Sequence, residues 1–174
     1  MHKKLFSIAA SIIILLALSN CKKIDHEAYT YYRTDINTTD LSTKADGFLF
    51  GGSATLDPNL NEETRDWEIV KITLTETLLT ITEANLKDML MAYNLELKVT
   101  NDKTGKSITH VIDGINSLSV DNSFIIPDNP TNNAFFKEMM GKRQTHTVEI
   151  KGYASQKGSI LKFNFKVGAL VALK

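Results

Sequence analysis

The 174-residue sequence predicts an all-β fold, an antiparallel β-sandwich of about eight strands with two short crossover helices. Three observations carry that expectation. Apolar and polar residues alternate with a two-residue period in run after run, which is the signature of half-buried strands. Turn-forming residues separate those runs at short intervals, and the three prolines lie outside them. Composition agrees: 43% hydrophobic and 23% charged residues describe a globular chain long enough for one domain and too ordered in pattern to be disordered. The 20 basic and 20 acidic side chains cancel, which argues against a nucleic-acid partner.

The first twenty residues stand apart. Lys3 and Lys4 precede the apolar run Leu5 to Leu18, the pattern of a secretory signal. As a helix those fourteen residues span about 21 Å, short of the roughly 30 Å hydrocarbon core of a bilayer. The run closes in Leu18-Ser19-Asn20-Cys21, which resembles the lipobox of bacterial lipoproteins, with Asn20 where Gly, Ala or Ser is usual. The single cysteine of the chain occupies the position that this family modifies. The resemblance implies cleavage before Cys21 by signal peptidase II and attachment of acyl chains such as palmitate to that residue. Two or three such chains hold a protein durably at a bilayer, where one chain does not. Lys22 replaces the aspartate that retains enterobacterial lipoproteins in the inner membrane, so the resemblance implies the outer membrane, on its periplasmic face or at the cell surface. Lys22 to Glu27 also resembles the lysine-plus-acid signals that export some lipoproteins to the surface, interrupted by Ile24 and His26.

The expected organisation is therefore a signal peptide over 1–20, a lipidated tether over 21–46 and a sandwich domain over 47–174. Without residues 1–20 the chain keeps 18 basic and 20 acidic residues, so anchoring falls to the acyl chains rather than to charge. The tether holds a short strand near Tyr29 to Arg33. Tyr29, Tyr31 and Tyr32 there, and Trp67 further on, are candidate stacking platforms for a ligand, although strand tyrosines commonly just pack one side of a strand.

Beyond Phe48 the elements follow in order. Gly51-Gly52 inside a strand pattern marks a bulge or a close backbone approach. Over 67–82 the apolar positions switch from even (Val70, Ile72, Leu74) to odd (Leu79, Ile81), which requires a bulge or bend near Thr75 to Thr77 and would let one strand serve two sheets. Glu83 to Ala92, behind Thr82, reads as the first short helix. Leu95, Leu97 and Val99 alternate with Glu96 and Lys98, and Asn101 to Gly105 turns the chain into the strand Ile108 to Ile112. Asn133 to Met140 is the second helix, with Asn132 before it and Gly141 past its end. Val148 to Tyr153 and Leu161 to Val167 form a final hairpin, with Phe163 and Phe165 facing the core. Met89, Met91, Met139 and Met140 are expected to fill gaps beneath the helices. Over 48–173 this strand pattern resembles the small immunoglobulin-like and transthyretin-like domains of bacterial surface lipoproteins, a likeness that implies a fold and no site residues.

Gly-x-Ser-x-Gly, phosphate-binding glycine loops and His-Glu-x-x-His are all missing from the sequence. His110 and His146 each share parity with core-facing neighbours and would make at most a two-ligand metal site, so strand histidines with ordinary partners are expected and no metal or other cofactor. Glu62, Glu63 and Asp66 read as a solvated loop, and Asp128 to Asn133 as helix-capping chemistry. The expected function is non-enzymatic: an outer-membrane lipoprotein acting as an accessory or structural subunit of an envelope or secretion assembly. Binding of a ligand, such as a glycan, at the surface is the alternative.

Overall fold

The computed structural model describes residues 26–41, 48–57, 68–84, 90–112, 115–118, 120–155, 158 and 160–174. Within them the chain is an all-β sandwich of two antiparallel sheets. The first sheet is ordered β1 (His26–Asn37), β10 (Leu161–Leu173), β4 (Ile69–Ala84), β8 (Ser123–Ile125). The second is ordered β2 (Thr39–Asp40), β3 (Leu49–Leu56), β9 (His146–Ala154), β5 (Leu90–Asn101), β6 (Ser107–Ile112), with β7 (Ile115–Leu118) paired to the start of β5. One helix, α1 (Pro130–Lys142), is present among the described residues.

Alternation assigns the core directly. On β10, Leu161, Phe163, Phe165, Val167, Ala169, Val171 and Leu173 are buried, while Lys162, Asn164 and Lys166 face out. Phe163 stacks on Phe50 of the opposite sheet with ring centroids 6.5 Å apart, and Phe165 meets Phe136 of α1 at 6.2 Å. The parity switch on β4 is a bulge: Gly168 lies opposite Glu76 and Ala169 opposite Leu74, leaving Thr75 over-counted between them. Ile72 and Leu74 before the bulge and Leu79 and Ile81 after it thereby all turn inward. The strand does not change sheets, because β10 pairs with it along its whole length.

Four further expectations are corrected. The first strand is longer than Tyr29 to Arg33, since all twelve residues of β1 are in register with β10. Thr30, Tyr32 and Ile36 supply the buried positions of that strand, and an intervening arginine and threonines conceal the period in a sequence poor in aliphatic residues. Glu83 to Ala92 is not a helix at either end: Glu83 and Ala84 pair with Lys162 and Leu161, and Leu90 and Ala92 pair with β7. Ladder hydrogen bonds override the helix propensity of these residues there, and 85–89 lie outside the described residues. The second helix begins three residues earlier than expected. Asn129, not Asn132, caps it, its side-chain oxygen accepting from the Asn132 amide at 2.9 Å, with Pro130 in the first turn and Gly141 still helical before the left-handed Arg143. Finally, β9 and β10 belong to different sheets and do not form a hairpin.

Close approach explains one glycine of the pair in β3. Between β1 and β2 the chain passes from one sheet to the other at Thr38, whose backbone N–H and hydroxyl both donate to the Leu161 carbonyl at 3.0 and 2.9 Å. A Cβ on Gly52 would stand 2.2 Å from the carbonyl oxygen of Asn37. Only glycine lets this crossing lie on the sheet.

Candidate binding surfaces

Both sheets present an outer face, and the sequence-predicted residues fall on them unevenly. Cys21 and Trp67 lie outside the described residues, as do Glu62, Glu63 and Asp66. Tyr29 and Tyr31 are on the outer face of the first sheet, 48% and 40% exposed. Tyr32 alternates to the inner face, is 4% exposed and serves as core rather than as a platform. Burial pushes its phenol above the usual tyrosine value.

The two outward tyrosines are engaged with the sheet beneath them. The Tyr29 hydroxyl crosses β10 and donates to Glu76 Oε1 on β4 at 2.7 Å, and Lys166 Nζ donates to the same oxygen at 2.5 Å. The Lys166 ammonium stands 5.4 Å from the Tyr31 ring centroid and 5.9 Å from that of Tyr29, and Arg33 lies 5.6 Å from Tyr31 on its own strand. The crossing is possible because residue 168 is glycine, where a Cβ would meet the Tyr29 oxygen at 2.6 Å. Hydrogen bonds from Lys166 and then Tyr29 hold the Glu76 carboxyl below its usual value, and Glu76 in turn raises Lys166.

The second sheet carries a cleft of about 450 Å³ on its outer face. Gly51 and the backbone around Ile150 form its floor, Leu41 and Thr39 one side, and Ser53, Glu96, Lys98, Glu149 and Lys151 the remainder. The charges come from one short pattern used twice. Glu96-x-Lys98 on β5 and Glu149-x-Lys151 on β9 run antiparallel in register, so Glu96 faces Lys151 and Lys98 faces Glu149. Both pairs close, Lys151 Nζ to Glu96 Oε1 at 2.9 Å and Lys98 Nζ to Glu149 Oε2 at 3.5 Å. The hydrogen bond from Lys151 to Glu96 raises the lysine above its usual value. Such a surface is electrically neutral and dense in both donors and acceptors. It suits a polar or hydroxyl-bearing contact rather than a bare anion. Sequence reading passed over these residues as ordinary strand exteriors; the repeated Glu-x-Lys was the available signal.

The two histidines do not meet. His110 pairs with Leu97, which pairs with Ile150, four residues along β9 from His146. With β5 between them, strand spacings of ~4.8 Å and ~3.4 Å per residue put them roughly 16 Å apart. His146 is 1% exposed, edge-on to Phe135 at 5.5 Å, and its Nδ1–H donates to the Gln144 carbonyl at 2.7 Å. Burial lowers its pKa, against a smaller raising effect of that carbonyl, Asp102 and Glu138. It is a core residue. No group of three His, Cys, Asp or Glu able to hold a metal occurs among the described residues. Nor is any described helix long and apolar enough to cross a membrane.

Comparison with known proteins adds little. No protein-family model matches the chain, and no curated protein sequence does. A solved structure described as "Structure of infectious bursal disease virus Gx strain" is similar over 88% of this chain and 43% of its own length, at 12% identity and a TM-score of 0.28. A likeness that distant carries no argument about fold or function.

Proposed function

We propose that the chain is a non-enzymatic lipoprotein, held at the outer membrane by acyl chains on Cys21, that serves as an accessory subunit of an envelope or secretion assembly. The observation that carries this reading is Leu18-Ser19-Asn20-Cys21 at the end of a charged and then apolar leader, with the first strand of the sandwich starting at His26, five residues beyond the cysteine. A chain built this way needs no span of its own, since two or three acyl chains at about 0.8 kcal/mol per buried methylene suffice for a stable anchor. The cleft on the second sheet is its recognition surface. There Glu96, Lys98, Glu149 and Lys151 are paired with one another, an arrangement that fixes register and selects a partner of complementary polarity. The cleft's volume and mixed donors and acceptors also favour a second reading, a small hydroxyl-rich ligand such as a glycan segment.

The test has two parts. Produced in a Gram-negative host with labelled palmitate, the protein should take up label and partition into detergent, and Cys21→Ser should do neither. Crosslinking on intact cells should then capture a defined envelope protein, and the double charge reversal Lys98→Glu, Lys151→Glu should abolish that capture. Capture unchanged by the reversal, with glycan binding lost instead, would move the assignment to the second reading. An unlabelled, freely soluble wild-type protein would remove the lipoprotein reading.

A further inference from the structure

The short distance from Cys21 to the first strand sets how the sandwich must stand on a bilayer. Four residues, 22–25, separate the cysteine from β1. Five Cα steps of at most ~3.6 Å place His26 within about 18 Å of the acylated residue. The end of the sandwich that holds His26 is well defined. Leu173 pairs with His26, and Glu68 and Lys174 exchange backbone hydrogen bonds beside them. The last turn of α1 is at the same level, since Gly141 faces Ile72, which is in register with Val171. The hairpin that follows Asn101 is set back from that end: Asn101 and Leu56 both pair with His146, and Thr55 accepts a hydrogen bond from Thr34, eight residues along β1 from His26.

The opposite end is about 36 Å away, the length of eleven steps of β1 at ~3.3 Å. It contains Asn37, Thr38 and the Thr39 side of the cleft. The two ends differ in charge. At the near end Lys71, Lys142, Arg143 and Lys174 offset Glu27, Glu68 and Glu138, with Lys142 2.6 Å from the Glu138 carboxylate. At the far end the cleft pairs Lys151–Glu96 and Lys98–Glu149 cancel, and Asp35, Asp40, Glu83 and Asp121 outnumber the cation Lys162. An anionic headgroup surface therefore repels the far end and tolerates or attracts the near one, at about 1 kcal/mol per charge close to the surface.

We infer that the near end, formed by the start of β1, the end of β10 and the end of α1, is seated on the lipid headgroups, with the strands upright and the cleft held away from the membrane. This rests on the proposed acylation of Cys21. It gives the short tether a purpose: the fold itself, not a flexible linker, provides the reach to a partner.

The experiment uses the acylated protein in vesicles of phosphatidylethanolamine and phosphatidylglycerol carrying a headgroup nitroxide lipid. Because acylation consumes the chain's single cysteine, Lys142→Cys or Asn37→Cys supplies the one free thiol for a fluorophore. Lys142 is at the near end, on a helix packed against the inner face of the first sheet, and Asn37 is on that sheet at the far end, so a domain lying flat on the sheet's outer face would bring Asn37 the closer of the two. The expected result is loss of most emission at Lys142 and near-background quenching at Asn37. Inserting twenty Gly/Ser residues between Asp25 and His26, whose end-to-end distance is about 25 Å, should restore emission at Lys142. Equal quenching at both positions, or stronger quenching at Asn37, would overturn the upright seating while leaving the anchor intact. An unacylated Cys21 in the intact mass of the same sample would overturn the anchor, and the seating with it.

Discussion

The outer faces of the two sheets solve the same problem differently. On the first sheet, long side chains reach across strands and fold down: Tyr29 passes over Gly168 to Glu76, and Lys166 lies against two tyrosine rings. On the second, side chains stand opposite their register partners and pair directly, leaving a cleft between them. The difference starts with where glycine falls. Gly168 removes the one Cβ that would block a side chain crossing the first sheet, while Gly52 admits the backbone itself and Gly51 opens the cleft floor. A face whose aromatic groups are already satisfied is a structural surface. A face whose polar groups line a cavity is available for recognition.

Substitutions can break or sharpen that contrast. The largest effect lies between the faces: Phe163, fully buried against Phe50, should cost about 3–5 kcal/mol as Phe163→Ala. Asn164→Ala, losing an exposed hydrogen bond to Asp35, should cost no more than about 0.5 kcal/mol. Denaturant midpoints give both values, and the reverse order would mean that β10 is inside out. Next come the glycines. Gly52→Ala sets a Cβ against backbone that cannot yield and should cost about 2 kcal/mol or more, whereas Gly168→Ala meets the far end of a tyrosine side chain and should stay below about 1 kcal/mol. Equal costs would show that Tyr29 is pinned as firmly as backbone.

A third effect is titratable. His146 has its pKa lowered by burial, so the unfolded chain binds a proton at pH values where the folded chain does not. Stability should therefore be fully present above about 6.5 and fall as pH drops below it, by at most ~1.4 kcal/mol per pH unit. Urea midpoints at pH 7.5 and 5.5 test this above the range where Glu76 and Glu138 take up protons, and His146→Phe should flatten the difference. The smallest effect separates the faces themselves. Glu76→Gln breaks two contacts at once and should cost about 0.5–1 kcal/mol, against at most about 0.5 kcal/mol for Glu149→Gln at the exposed pair.

Most of the strands were legible from alternation, because a strand with one face on the core must place apolar residues two apart. The bulge near Thr75 was legible for the same reason, as a change of parity. Of the first strand only the stretch near Tyr29 to Arg33 was, since Thr30 and Tyr32 fill buried positions that a pattern of aliphatic residues would have advertised. The segment 83–92 misled because Glu83, Ala84, Leu90 and Ala92 enter ladders that only distant strands can supply. Sheet membership of β9 and β10 was equally hidden, as both alternate and a connection of a few residues fits a hairpin or a crossing. The cleft could have been found: two Glu-x-Lys segments pair all four charges only when they run antiparallel with each glutamate opposite a lysine, which is the register of β5 and β9. The tyrosines could be placed near one another by sequence, but not the glycine on β10, 139 residues later in the chain, that decides what Tyr29 touches.

The account depends most on the chemistry at Cys21, and intact mass spectrometry of the mature protein extracted from a Gram-negative outer membrane tests it directly. It predicts a chain that begins at Cys21 and carries the added mass of two or three acyl groups. A chain that begins elsewhere, or one that begins at an unmodified Cys21, would contradict it.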